Sequence, residues 1–223
     1  MKVRMVEEFH PGGGSPITDP SKIDVHMMGV GFGRDTSSGQ TDPGGYPIPT
    51  DINPFLRLKE MVSGAMTPGF ILTAQSITLG ITAANSAGFD FVELQSSGTE
   101  WAAPYVSVAV PSAKITIPQT ELLIDTGLDY SIVQAPQNVQ PPCANNSNGG
   151  CRVANSQEVV LTMSGLQKPL YTFTTGGQNA PQSVLWRHHL HNGKPFINTG
   201  TYALREFDYL YDAKAGRLGF HFH

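Results

Sequence analysis

The stretch Leu122-Leu123-Ile124-Asp125-Thr126-Gly127 is where residue types and order could do chemistry in this chain. Three apolar residues bring a strand out of the core to an acidic residue at a tight turn. A carboxylate avoids such a place unless it is hydrogen-bonded and used, and general acid–base catalysis is one such use. The tripeptide is short, and an Asp that only caps a turn gives the same letters. Asp129, a neighbour on the same loop, is expected to face solvent. A second apolar-apolar-Asp-Thr/Ser-Gly is missing from the sequence. Asp35-Thr36-Ser37-Ser38 follows Gly-Phe-Gly-Arg rather than an apolar strand. Phe196-Ile197-Asn198-Thr199-Gly200 copies the pattern with an amide in place of the acid, and an amide cannot act as a general base.

Other chemistry-bearing residues point elsewhere. Cys143 and Cys151 bracket the polar, turn-rich insert Ala-Asn-Asn-Ser-Asn-Gly-Gly, which favours a local disulfide over two free thiols. No second cysteine pair or suitably spaced His accompanies them, so no metal site is expected. His188, His189 and His191 read as a polar hairpin rather than as metal ligands. Gly29-Val30-Gly31-Phe32-Gly33-Arg34 lacks the last glycine of a dinucleotide fingerprint and runs into a polar loop. Asn145-Asn146-Ser147 fits the glycosylation pattern, which has meaning in a eukaryotic secretory host. Trp101 and Trp186 read as packing residues.

The elements that must position these residues are short strands separated by turns. Asp24–Phe32 reads as a buried strand ending in glycines, after an irregular segment over 10–20 and before a Gly/Pro-rich loop over 35–51. One helix is expected over Asn53–Val62, with Asn53 as N-cap, Pro54 at the first position, Gly64 past the end, and Phe55, Leu58, Met61 and Val62 on a buried face. Strands follow over 70–73, 76–79, 89–94, 105–110, 113–117, 121–124, 158–163 and 170–173, several with period-two alternation. Asn192-Gly193 marks a hairpin turn and 201–207 a short helix. A last hairpin pairs 207–212 with 217–222 across Lys214-Ala215-Gly216.

In this order the motifs resemble those of the pepsin-like aspartic proteases, over nearly the whole chain from residue 24. Met27-Met28-Gly29-Val30-Gly31-Phe32 is similar to the hydrophobic-hydrophobic-Gly element that ends the family's N-terminal lobe. Asp125-Thr126-Gly127 is similar to the catalytic triplet of the second lobe. Asn198-Thr199-Gly200, with Leu204-Arg205 and the final hairpin, resembles the closing segment whose glycine element packs under the active-site loop. The resemblance implies a mainly β fold, an antiparallel barrel or sandwich with a few short helices. It divides the chain into an irregular segment (1–23), a remnant of the N-terminal lobe (24–66) and a C-terminal lobe (67–223). It implies that Asp125 is one of two carboxylates that activate water to cleave a peptide or protein substrate. Thr126 would tie the two active-site loops together, Gly127 would allow the turn, and Gly29 and Gly200 would be structural. No cofactor is implied. Leu128 stands where the family commonly has Ser or Thr, which removes a hydroxyl partner from Asp125. The other carboxylate would come from a missing N-terminal lobe or from self-association. The alternative is a pepsin-fold module that binds or inhibits without catalysing.

Composition narrows the class further. Among 223 residues only 14% are charged, 39% are apolar, and there are 24 Gly and 17 Pro. Ordinary domains carry about 25% charged residues, and helical bundles more still, so a loop-rich β protein is expected. With 14 Lys+Arg against 18 Asp+Glu there is no basic excess for nucleic acid, and no apolar run long enough to span a membrane. Met1–Glu8 has no apolar core of a signal peptide, whereas a disulfide implies a secreted or periplasmic setting. The two are reconciled if residues ahead of Met1 have been lost, processed or left out.

Overall fold

The structure is a computed structural model, and it describes residues 53–223 apart from 57, 98, 99 and 148. The expected strand with Gly29, the loop over 35–51 and the boundary at residue 24 lie outside the described residues. What is described is mainly β, as expected, with one short α-helix. In chain order the first strands are β1 (Thr67–Leu72), β2 (Ile77–Ile81), β3 (Asp90–Glu93), β4 (Ser96–Ser97) and β5 (Glu100–Trp101). The central ones are β6 (Tyr105–Val110), β7 (Ile115–Leu123), β8 (Ser131–Gln134), β9 (Cys143–Ser147), β10 (Gly150–Val153) and β11 (Glu158–Thr162). The last are β12 (Tyr171–Thr174), β13 (Val184–Arg187), β14 (Phe196–Asn198), β15 (Phe207–Asp212) and β16 (Arg217–Phe222).

These strands build a five-stranded sheet, in the order β2-β1-β15-β16-β3, and a nine-stranded one, β12-β11-β6-β7-β14-β8-β13-β10-β9. β4 and β5 pair with each other. Alternation explains the packing. On β6, Val106, Val108 and Val110 are buried while Tyr105, Ser107 and Ala109 are half-buried, the period-two pattern of a strand with one face in the core. The same core takes Leu161 from β11, Val133 from β8, Trp186 from β13, and Phe207 and Phe220 from the final hairpin, so it joins both sheets. Phe207 and Phe220 meet edge to face, 5.2 Å between centroids, a geometry aromatic pairs favour.

Most hairpin signals produce the expected turns. Asn192 (φ 49°) and Gly193 (φ 77°) form a two-residue turn closed by the His191–Lys194 bridge. Gly216 (φ 72°) turns β15 into β16. Cys143 and Cys151 form the expected disulfide, across the β9–β10 hairpin. No described helix is long and apolar enough to cross a membrane.

Three expectations change. The helix over 53–62 is a 3-10 turn at Pro54–Leu56 and a single α-turn at Lys59–Val62, because Leu58 is extended (ψ 146°) and breaks it. Asn53 still caps, accepting the Phe55 N–H at 3.0 Å, but Val62 is 65% exposed rather than buried. The two strands expected over 113–117 and 121–124 are one strand, β7, which runs through Pro118 and a left-handed Gln119 (φ 51°) with a register shift against β6. The nine-stranded sheet is mixed: β7–β14 and β8–β13 are parallel pairs in an otherwise antiparallel sheet.

The core also sets a pH limit. Burial pushes the phenols of Tyr209 and Tyr171 well above their ordinary value of 10.0, with the Glu206 charge adding to the effect at Tyr171. Above pH 10 the unfolded chain loses protons that the native state keeps, so stability falls as pH rises. In an absorbance titration at 295 nm, at least two of the seven tyrosines are expected to ionise only together with the loss of far-UV dichroism. Ionisation of all seven before that loss would contradict these burials.

Candidate active site

The loop that carries Asp125 is built by an insertion. β7 runs into the loop and β8 leaves it, yet these consecutive strands do not pair. β14 lies between them, parallel to β7 (Ile197 opposite Leu122) and antiparallel to β8 (Ile197 opposite Val133). Leu122, Val133 and Ile197 are each buried to 3% exposure or less, so three adjacent strands press one apolar row into the core. About ten residues of loop and strand are thereby fixed by contacts from more than sixty residues further along the chain. The Thr199 N–H donates to the Leu123 carbonyl at 2.9 Å, and the Thr201 N–H to Leu128 at 2.8 Å. The Ser131 hydroxyl donates to the Thr199 carbonyl at 2.7 Å.

Within this frame Asp125 is half-buried and both of its oxygens are engaged. Oδ1 accepts the Gly127 N–H at 2.8 Å, closing the turn. Oδ2 accepts from the Asn198 side-chain nitrogen, also at 2.8 Å. Asn198 is held in turn: its Oδ1 accepts the Gly200 N–H at 2.9 Å, and the residue is 5% exposed. The amide can face only one way, since a flip would set its oxygen against a carboxylate and its NH2 against an N–H. Asp125 is therefore fixed in orientation by a turn amide on one side and by an inserted strand on the other.

Gly200 is what lets the inserted strand approach. Its backbone (φ 67°, ψ −172°) lies in a region that essentially only glycine occupies. A β-carbon there would sit 2.5 Å from the Tyr130 carbonyl oxygen and 2.9 Å from that of Leu128. Thr126 and Gly127 are exposed at the tip of the loop, and no hydrogen bond ties the Thr126 hydroxyl to another described residue. Asp129 is exposed, and its carbonyl accepts the Gln182 N–H at 2.9 Å. Gly29 lies outside the described residues.

Asn198 is the residue that sequence reasoning placed in a structural glycine element without giving it a role at Asp125. The available signal was the near-copy of the catalytic triplet: Ile197-Asn198-Thr199-Gly200 matches Ile124-Asp125-Thr126-Gly127 except for the amide. Leu128 indeed supplies no hydroxyl, and the Asn198 amide donates to Asp125 in its place. Among the described residues no second carboxylate hydrogen-bonds to Asp125, and no three His, Cys, Asp or Glu side chains converge as metal ligands. His189 instead meets Gln134 (2.9 Å), and the Trp186 indole donates to the Val139 carbonyl (2.8 Å) from within the core. The site thus offers one oriented carboxylate, able to accept a proton or a hydrogen bond, beside a neutral donor.

No protein-family model matches the chain, and no curated protein matches it. Among solved structures the chain is similar to the basic 7S globulin from soybean, at 16% identity and a TM-score of 0.44, over 78% of this chain and 54% of that one. The chain spans about half the length of that globulin.

Replacement of Gly200 by Ala is expected to destabilise the protein by about 3 kcal/mol or more, since strain and two carbonyl contacts act together. Gly193→Ala shares the positive φ (77°) but meets nothing within 4 Å, so a loss of only about 1 kcal/mol is expected there. Urea denaturation of the two variants checks this; equal losses would show that the close approach at Gly200 carries no weight.

Proposed function

We propose that the chain supplies one lobe of an aspartic-peptidase-type hydrolase, with Asp125 as one of its two catalytic carboxylates. The observation that carries this reading is the orientation of Asp125 by the Gly127 N–H and the Asn198 amide, both at 2.8 Å, on a loop braced by an inserted strand. The order of the sequence motifs supports the same assignment. The partner carboxylate comes from an N-terminal lobe or from Asp125 of a second copy of the chain. Two carboxylates about 3 Å apart cannot both ionise, so one holds the proton and polarises the scissile carbonyl while the other takes a proton from the attacking water. Collapse of the resulting diol passes a proton to the leaving nitrogen as the C–N bond breaks. The Cys143–Cys151 disulfide suits a secreted or periplasmic setting.

One observation favours a second reading, a pepsin-like lobe that binds peptide without cleaving it. Both oxygens of Asp125 are already met by neutral donors within the chain, and the near-copy of the triplet holds Asn198, which cannot replace the missing acid.

Hydrolysis of a casein-type substrate between pH 3 and 5 separates the two. The peptidase reading expects cleavage that a pepstatin-type inhibitor blocks and that Asp125→Asn reduces by at least about a thousandfold. Under self-association the specific activity also rises with protein concentration. Unchanged cleavage in Asp125→Asn would overturn the catalytic assignment. Absence of both cleavage and inhibitor binding leaves the binding module.

A further inference from the structure

A second feature lies on the outer face of the nine-stranded sheet, at the end of β8 away from the Asp125 loop. A cleft of about 490 Å³ opens over β9, β10 and β13, within the size range of small-ligand sites. Strand alternation explains it. Cys151, Val153, Val184 and Trp186 turn into the core, so Arg152, Leu185 and Arg187 turn outward. Gly150 stands opposite Arg187 in the register and has no side chain to fill the space; a β-carbon there would run into the Trp186 carbonyl. Arg152, two residues on, is the diagonal neighbour of Arg187 on the same face, about 7–8 Å away. Asn145, Asn146 and His189 complete the rim, and His189 meets the Gln134 amide at 2.9 Å.

The charge of this cleft is unbalanced. The chain carries a net charge of −4, yet among the described residues no Asp or Glu lines the cleft. Elsewhere the described arginines are occupied: Arg217 pairs with Asp212 (3.1 Å) and lies over Phe91, and Arg205 lies over Tyr202. In the cleft, one Arg152 nitrogen donates to the Gln182 carbonyl at 3.1 Å, and neither guanidinium pairs with a carboxylate among the described residues. Two guanidinium forks beside an apolar floor, Leu185, match a carboxylate that brings a short apolar stem with it.

Register connects the cleft to Asn198. Asn198, Ile132, Leu185 and Arg152 are successive partners across β14, β8, β13 and β10, and so share the outer face. Three strand spacings separate Asn198 from Arg152, roughly 14 Å, the reach of about four extended residues. We propose that the cleft binds the side-chain carboxylate of an acidic peptide, with Arg187 and Arg152 as its anion-recognition residues. The binding rests on the cleft alone. Only the spacing, an acidic residue about four positions from the bond held at Asp125, rests on the peptidase reading.

The test is calorimetric titration of the full chain carrying Asp125→Asn, which keeps the peptide intact and so separates binding from catalysis. The probes are an end-capped octapeptide with an adjacent Glu pair, its Gln counterpart, and a digalacturonate. The Glu peptide is expected to bind at least tenfold tighter than the Gln peptide, with the advantage shrinking as salt rises. Arg187→Gln is expected to remove most of that advantage, and Arg187→Lys to retain part of it. Arg152→Gln, at an exposed position, gives a second readout should Arg187→Gln fail to fold. Equal binding of the two peptides, no effect of either arginine substitution, or tighter binding of the digalacturonate than of the Glu peptide would each overturn the proposal.

Discussion

The hydrogen bond from Asn198 to Asp125 joins the inserted strand β14 to the loop between β7 and β8, and much of the structure exists to make it possible. A short three-residue strand has little pairing energy of its own. β14 stays in place because it is bonded on both sides, to β7 and to β8, and because Ile197 is locked between Leu122 and Val133. Once there, its last residue presents an amide to the carboxylate at one distance and in one orientation. Gly200, at the next turn, lets the chain leave without colliding with the loop that it supports. Remove any one of these and the others lose their purpose: an unbraced loop would leave Asp125 free to rotate into water.

The rest of the fold acts at longer range. The five-stranded sheet contributes Phe207 and Phe220 to the core on which the insertion rests, and the 3-10 turn after Gly200 leads straight into β15. The final hairpin is thus tied to the Asp125 loop by chain connectivity as well as by packing. The disulfide, by contrast, sits at the far edge of the nine-stranded sheet. It pins the β9–β10 hairpin and thereby the rim of the arginine cleft, rather than the carboxylate.

Local signals made the Asp125 loop, β6, the final hairpin and the disulfide legible in the sequence. Each is specified by residues close together: alternating valines over 105–110, glycine at 216, two cysteines around a polar turn. What escaped depends on distant partners. β8, β13 and β14 are three or four residues long, and none shows a pattern that stands out before its neighbours are known. Parallel pairing at β7–β14 and β8–β13 follows from the insertion, which no local window contains. The helix over 53–62 failed for the opposite reason. Its capping residues are sound, but the body is too short to hold against the extended backbone of Leu58. Asn198 was visible as an oddity, an amide in a near-copy of the catalytic triplet. Its role needed the register of three strands.

A double-mutant cycle between Asp125→Ala and Asn198→Ala, followed by urea denaturation of all four proteins, measures the contact on which this account rests. A hydrogen bond from an amide to a partly buried carboxylate predicts a coupling of about 1.5–3 kcal/mol, the double variant losing less than the sum of the two single losses. Additive losses, with a coupling within about 0.3 kcal/mol of zero, would mean that the inserted strand does not hold the carboxylate.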